Sequence, residues 1–413
     1  MPGRVFFLSS HMCEGESGGG HGVIYRLYKA NQIYRILPDN TVYVFINCVA
    51  EDDRGEEQFI IQREATLKSP VRVAITKYIP NFMRIRNQKK RYARIGTYLD
   101  GLDKKYTFCE SDVFICHDFR IAYVFVNRFP HLKCAYVHHM QGSVYFEWHS
   151  ETGLNSKPMK KLYDAMFCDI CKKADLLCFP SKGTEESLID SEPEMKNFVE
   201  RTKRRYLYNG VNCPEIEDVE PWVDEISKLD GYKFVTIAYL NAAKAVERIP
   251  EYLYYLKQNG VKFTWILVGN GVQATKVEEQ IDRYQLKDDI IWKKERVNHS
   301  ELMQLLSISD FYILLHRFSI FDLSTLEAMH YGNIPILTPV GGNKEVIIDG
   351  NGLLVSDFTD VSSFIELIQS GEMEAIRTKN MNIQRSMFDD RAFLQRYADL
   401  CSEMSKEPHE QPK

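Results

Sequence analysis

The chain has 413 residues, 44% of them hydrophobic and 26% charged, with a net charge of −5. These values exclude a disordered chain, a collagen and a disulfide-stapled miniprotein, and at about 100–200 residues per domain they imply two domains or three. The net acidity excludes a generally basic nucleic-acid binder, and no apolar run approaches the roughly 18–20 residues that span a bilayer.

Short apolar runs alternate with helical patterns along the chain. Val5–Ser10 reads as a first strand and not as a signal peptide, because it has neither a charged lead nor a small-residue cleavage site. Thr41–Asn47, Val71–Thr76, Asp112–His117, Cys134–His139 and Leu176–Ser181 continue the strand pattern in the first half. Phe234–Tyr239, Phe263–Gly269, Ile290–Lys293, Phe311–His316 and Ile334–Thr338 do so in the second. Trp265–Val268 and Phe311–Leu315 are continuously apolar, the pattern of parallel strands covered on both faces. Helical patterns such as Val246–Gln258 and Ser300–Ser307 lie between them. The fold class is therefore α/β, with two Rossmann-like doubly wound domains and a cleft between them.

The first domain is assigned residues 1–212 and the second 213–390. A helix over 391–405 is expected to pack back on the first domain, and 406–413 to form a disordered tail. Residues 1–212 carry 31 Lys+Arg against 25 Asp+Glu, and residues 213–413 carry 21 against 32, so the two halves are expected to face different partners. Ten cysteines in this length fit a reducing cytoplasm. Cys168-x-x-Cys171 has no second pair and reads as two helix-face residues.

Gly18-Gly19-Gly20-His21-Gly22 follows the first strand, where close backbone approach would admit a phosphate, or would make a flexible surface loop. Later, Glu327-Ala-Met329 opens a helix pattern, and Gly341-Gly342 marks the turn into a further helix. A carboxylate there can accept hydrogen bonds from two ribose hydroxyls. It can equally be a helix-start residue favoured by the macrodipole. Arg84, Arg86, Lys89, Lys90, Arg91 and Arg94 are interleaved with Phe82, Met83, Ile85, Tyr92 and Ile95. This is a basic amphipathic helix suited to an anionic membrane surface or a lipid-diphosphate acceptor, or a solvated helix face packed on its apolar side.

Glu327-Ala-Met-x-x-Gly-x-Pro, Gly341-Gly342-x-x-Glu345-Val346 and Asp349-Gly350-x-Gly352-Leu353-Leu354-Val355, with Asn209-Gly210-Val211, Val268-Gly269-Asn270-Gly271 and Gly19-Gly20, resemble the GT-B nucleotide-sugar glycosyltransferases. Within them they resemble the retaining family 4 (glycosyl transferases group 1). The resemblance covers the second half well and the first half loosely. It implies transfer of a sugar from a nucleotide-diphosphate sugar to a hydroxyl acceptor, a glycan or lipid-linked polysaccharide precursor, with retention. By resemblance Glu327 holds the donor ribose, Lys244 touches the diphosphate, and Gly341 and Gly342 lie near the donor sugar and its phosphates. Gly19, Gly20, Asn209, Gly269 and Asn270 join the donor site. His138, with His139 a near second, ends a strand between donor and acceptor.

No metal and no cofactor are expected, since no Asp-x-Asp occurs to clamp one. No nucleic-acid partner is expected either. The cysteine usage points to the cytoplasm, and the basic helix over 84–94 to a peripheral place at the inner face of the membrane as one of its two readings. Two positions depart from the family pattern. Ala238-Tyr239 stands where Gly-Arg is usual, and Ser319 where a glutamate is usual. Arg317 or Arg248 is the candidate replacement for the lost cation. The departures leave open a non-catalytic GT-B subunit that binds a partner glycosyltransferase; a nucleotide-sugar epimerase is the third reading.

Overall fold

The computed structural model describes residues 3–10, 20–46 and 80–406. The expected strand Val71–Thr76, Gly19 and the tail residues 407–413 lie outside them. The chain divides into two compact units. One comprises residues 1–208 and 393–413, the other Asn209–Ala392.

Unit 1 is a parallel sheet of β1 (Val5–Ser9), β2 (Thr41–Phe45), β3 (Val113–Cys116), β4 (Lys133–Val137), β5 (Leu176–Phe179) and β6 (Arg204–Tyr206), in the order β2-β1-β3-β4-β5-β6. Strand side chains alternate between the faces, and both faces are covered. Phe6, Leu8, Phe114 and Tyr136 pack with Leu99, Phe125 and Phe167 on one side. Val5, Phe7, Ile115 and Val137 pack on the other with Val23 and Leu27 of helix Gly20–Tyr34. Phe393, Leu394, Tyr397, Leu400, Cys401 and Met404 of helix Asp390–Lys406 complete that second core, and Lys133 Nζ donates to Met404 O at 2.9 Å. Local chemistry sets the helix starts. Asp118 accepts from the N–H groups of Arg120 and Ile121, and Ser143, Ser156 and Ser181 each cap the helix they precede.

Unit 2 holds β7 (Tyr232–Ile237), β8 (Phe263–Val268), β9 (Ile290–Lys293), β10 (Phe311–Leu314), β11 (Ile334–Leu337) and β12 (Leu353–Leu354), in the order β12-β11-β10-β7-β8-β9. All its pairings are parallel. The strands are mainly apolar, and Trp265, Phe234 and Phe311 are fully buried. Inside this core Trp265 Nε1 donates to Thr236 Oγ1 at 3.0 Å, which donates to Ile313 O at 2.7 Å, so the polar atoms are paired.

The structure differs from the sequence reading at strand ends. Apart from β9, which ends where expected, ladders stop one to two residues earlier than the apolar runs suggested, so His117, His138, His316 and Thr338 are loop residues at carboxyl ends. β6 and β12 were not among the expected strands, β12 being only two residues long. β6 is Arg-Arg-Tyr at the sheet edge, where charged residues are tolerated. The units divide after Tyr208 and not after residue 212. The reason is that Val211 already belongs to unit 2, its N–H donating to Phe388 O at 2.9 Å and its carbonyl accepting from Gln384 Nε2 at 2.9 Å.

Candidate functional site

In unit 2 the chain runs outward through β7, β8 and β9, then returns to place β10 on the other side of β7. Open α/β sheets bind ligands at the carboxyl ends of strands beside such a reversal. Four loops leave the sheet there, and they are hydrogen-bonded in series. Leu240 N–H donates to Asn270 O at 3.0 Å, joining the β7 and β8 loops. Arg317 N–H donates to Ala243 O at 2.9 Å, joining β7 to β10. Gly342 N–H donates to Ser319 O at 3.3 Å, joining β10 to β11.

Glycines make this stacking possible. A Cβ on Gly269 would lie 1.9 Å from Ala238 O, and one on Gly341 1.7 Å from Ser319 O. Their φ values of 142° and 50° are in the left-handed region as well. Lys244, Gly269, Asn270, Arg317, Ser319, Gly341 and Gly342 thus come to one edge of one sheet from four separate segments.

The side chains there are already organised. Lys244 is ion-paired with Asp322, and its Nζ lies 3.3 Å from His316 Nε2. Tyr312 donates its hydroxyl to Asp322 Oδ2 at 3.1 Å, and Ser324 Oγ reaches the same oxygen at 2.9 Å. Burial pushes the Asp322 carboxyl up, but the Lys244 ammonium and the hydrogen bonds outweigh it and hold it well below the usual carboxylate range. Burial and the neighbouring Lys244 ammonium lower His316 to about 3, so it is a neutral imidazole that accepts from Lys244. Thr338 Oγ1 donates to His316 O at 2.7 Å and fixes the strand end.

Beside this network Arg317 Nη1 pairs with Glu247 Oε1 at 2.5 Å. Arg248 lies over the Phe358 ring at 5.5 Å, and burial followed by repulsion from Arg317 lowers its pKa. Ser319 is buried, and its hydroxyl has no hydrogen-bond partner. Tyr239 is 61% exposed where the family pattern has a cation.

Glu327 requires a correction. Its helix runs Leu323–His330, so Glu327 sits in the second half and not at the start. A carboxylate there faces the negative end of the helix dipole, so the macrodipole does not explain it. Its Oε1 lies 3.5 Å from His299 Nε2, and its side chain is 14% exposed. Tyr331, near the end of that segment, donates to Pro214 O at 2.6 Å and ties down the chain that follows Asn209, itself buried.

In unit 1 the order reverses between β1 and β3. His138 is fully buried, bonded through Nδ1 to the Tyr136 hydroxyl at 3.1 Å and through Nε2 to Gly142 O at 2.8 Å. Burial lowers it to about 4. Both ring nitrogens are occupied, so this placement moves the reading from His138 to His139. The half-buried His139 has its Nε2 2.9 Å from His117 Nδ1, and the two rings stack with centroids 5.1 Å apart. Gly20 is the first residue of its helix. Arg84, Arg86, Lys89, Lys90 and Arg91 lie in the first half of helix Asn81–Tyr106, and Arg94 at its midpoint.

Asp322, His316, Glu247 and His299 did not stand out in the sequence. Asp322 precedes Leu-Ser-Thr and has the look of a helix cap, yet its side chain makes no capping bond. The one available signal was an aspartate three residues after Ser319, one of the two departures from the family pattern. A hollow of about 660 Å³ lined by Asp310, Tyr331, Glu374 and Arg377 belongs to the opposite end, since Asp310 immediately precedes β10.

Residues 221–384 match the family described as glycosyl transferases group 1. Over 270 residues the chain is 26% identical to an uncharacterized glycosyltransferase of Methanocaldococcus jannaschii, covering 63% of this chain and 65% of that relative, so it spans less than two thirds of the relative's length. Sucrose-phosphate synthase from Thermosynechococcus elongatus has a similar fold, with a TM-score of 0.65 at 15% identity over 97% of this chain and 99% of the other. Anabaena HepE, solved with UDP-glucose, superposes with a TM-score of 0.62 at 15% identity, covering 97% and 99%. At these identities the structures establish the fold, two Rossmann-like units of the GT-B type.

Proposed function

We propose that this chain, which carries a glycosyl transferases group 1 domain on a GT-B fold, moves a sugar from a nucleotide-diphosphate donor to a hydroxyl acceptor with retention. One observation carries the reading. The stretch that matches the family is the stretch whose four loops bring Lys244, Arg317, Ser319, Gly341 and Gly342 to the reversal point of unit 2.

Cleavage of a sugar–phosphate bond leaves negative charge on the departing diphosphate. Lys244 supplies a fixed cation for it, held in place by Asp322 and the neutral His316. Glu327 accepts hydrogen bonds from the donor ribose. The acceptor is a glycan or lipid-linked precursor held by unit 1, with His139 as its nearest imidazole. The leaving phosphate takes the acceptor proton in a front-face transfer, and protein groups stabilise charge without a metal. Anabaena HepE with UDP-glucose supports a nucleotide-sugar donor by likeness of fold.

A second reading is a non-catalytic subunit of a partner glycosyltransferase. It is favoured by the unpartnered Ser319 hydroxyl and by the pairing of Lys244 and Arg317 with the protein's own carboxylates. A thermal shift with UDP, GDP, ADP, CMP and dTDP, repeated on Glu327→Ala, decides between them. A ligand at 100 times its dissociation constant stabilises by about 2.7 kcal/mol. One nucleotide should shift the parent and not the variant, and incubation of its sugar conjugate with acceptors should yield a glycoside. No shift with any nucleotide would leave the partner-binding reading standing.

A further inference from the structure

We propose that the amino end of helix Asn81–Tyr106, joined to the start of helix Lys157–Lys173, is a docking surface for an anionic lipid bilayer. The proposal stands apart from the donor chemistry of unit 2, and its failure would leave that reading untouched.

The helix is anchored by its second half. Ile95, Leu99 and Leu102 are buried in the unit 1 core, with Ile85 and Tyr92 packed partly against it. Its first turn is not needed for that packing. Phe82 is 69% exposed and Met83 43% exposed. Arg86, Lys89, Lys90 and Arg94 are exposed behind them, and the first acidic residue after Asn81 is Asp100.

A second basic helix starts at the same place. Ser156, which caps helix Lys157–Lys173, donates its hydroxyl to Asn81 Oδ1 at 2.8 Å. Gln88 Nε2 donates to the Tyr163 hydroxyl at 3.3 Å, so the two helices stay in contact beyond their starts. Lys157 and Lys161 are exposed on this neighbour. Two helix amino ends, each with partial positive charge, meet six exposed cations and two exposed apolar side chains.

The mixture selects the occupant. A soluble polyanion would satisfy the charges and leave Phe82 and Met83 in water. A bilayer with anionic headgroups satisfies both, since apolar side chains enter the acyl boundary while Lys and Arg meet the phosphates. Dipping two residues and no more makes a reversible contact, with no helix crossing the membrane. Among the described residues no helix is long and apolar enough to cross one.

The test is flotation of the full chain with vesicles of phosphatidylglycerol and phosphatidylcholine, with pure phosphatidylcholine as the comparison. The parent should float with the anionic vesicles and not with the neutral ones. Lys89→Glu/Lys90→Glu/Arg94→Glu should lower partitioning at least about a hundredfold at low salt. Phe82→Ser/Met83→Ser should lower it about tenfold at roughly 0.15 M salt, where charge is screened. These residues are exposed, so both variants should keep the parent's circular dichroism and melting temperature. Equal partitioning to neutral and anionic vesicles would overturn the proposal. So would unchanged flotation of Phe82→Ser/Met83→Ser together with full competition by heparin, which would make the patch a polyanion site.

Discussion

Asp322 is the residue on which the charge at the unit 2 edge depends. It neutralises Lys244 while taking hydrogen bonds from Tyr312 and Ser324. Asp322→Asn keeps the shape and removes the charge, and should cost about 1–3 kcal/mol in urea unfolding at pH 7. The sign of its pH dependence follows from the depressed carboxyl. The folded state binds that proton more weakly than the unfolded state, so the contribution is whole above about pH 4 and is lost as pH falls through the folded value. The gap between parent and variant should hold from pH 8 to about 5 and close in stronger acid. His316, lowered to about 3, adds a separate loss in the parent as pH falls below about 6.5, because the unfolded imidazole takes up the proton first.

Ser319→Ala is the opposite case. The hydroxyl is buried and unpartnered, so its removal should leave stability unchanged or raise it by up to about 1 kcal/mol in thermal unfolding. The sequence made Lys244, Glu327 and the glycines legible because they fall in a motif of fixed spacing. It left Asp322 and His316 hidden, since their roles arise from contacts with Lys244 across 78 and 72 positions of chain.

At the scale of the element, the loops behave as one stacked body. Gly341→Ala places a methyl on Ser319 O in a left-handed backbone, and should cost more than about 2 kcal/mol and abolish any nucleotide-induced thermal shift. Gly371→Ala is the matched comparison. Its φ is 75°, but nothing lies within 4 Å of the added carbon, so the cost should stay near 1 kcal/mol and ligand shifts should survive. Most strands were legible because each carries an apolar run, which the edge strand Arg204–Tyr206 lacks. Their ends were not, because Thr, His and Tyr can finish a ladder or begin a loop with equal local propensity. The hydrogen bonds from loop to loop, such as Arg317 N–H to Ala243 O, decide the matter here. Helix Leu323–His330 shows the same limit. The Glu-Ala-Met pattern marked a helix, but its beginning lies four residues earlier, at Leu323.

At the scale of the molecule, two units were legible from strand–helix alternation in both halves of the chain. The charge asymmetry of those halves was visible too, and the structure concentrates exposed cations on helix Asn81–Tyr106. Deleting residues 390–413 would strip Phe393, Leu394, Tyr397, Leu400, Cys401 and Met404 from the second core of unit 1. Each buried large side chain is worth about 1.5–3 kcal/mol, which together exceeds the usual stability of a domain. The truncated chain should therefore lose the melting transition of unit 1 in calorimetry and keep that of unit 2. The same helix sets an order of events during synthesis. Unit 2 is contiguous from Asn209 to Ala392, whereas the sheet of unit 1 must wait for the last helix to leave the ribosome. At roughly 5–20 residues per second, the interval between Tyr208 and Phe393 lasts about ten seconds or more. For that time an uncovered apolar sheet face is exposed to chaperones and to other nascent chains, which makes translation rate a determinant of the yield of folded protein.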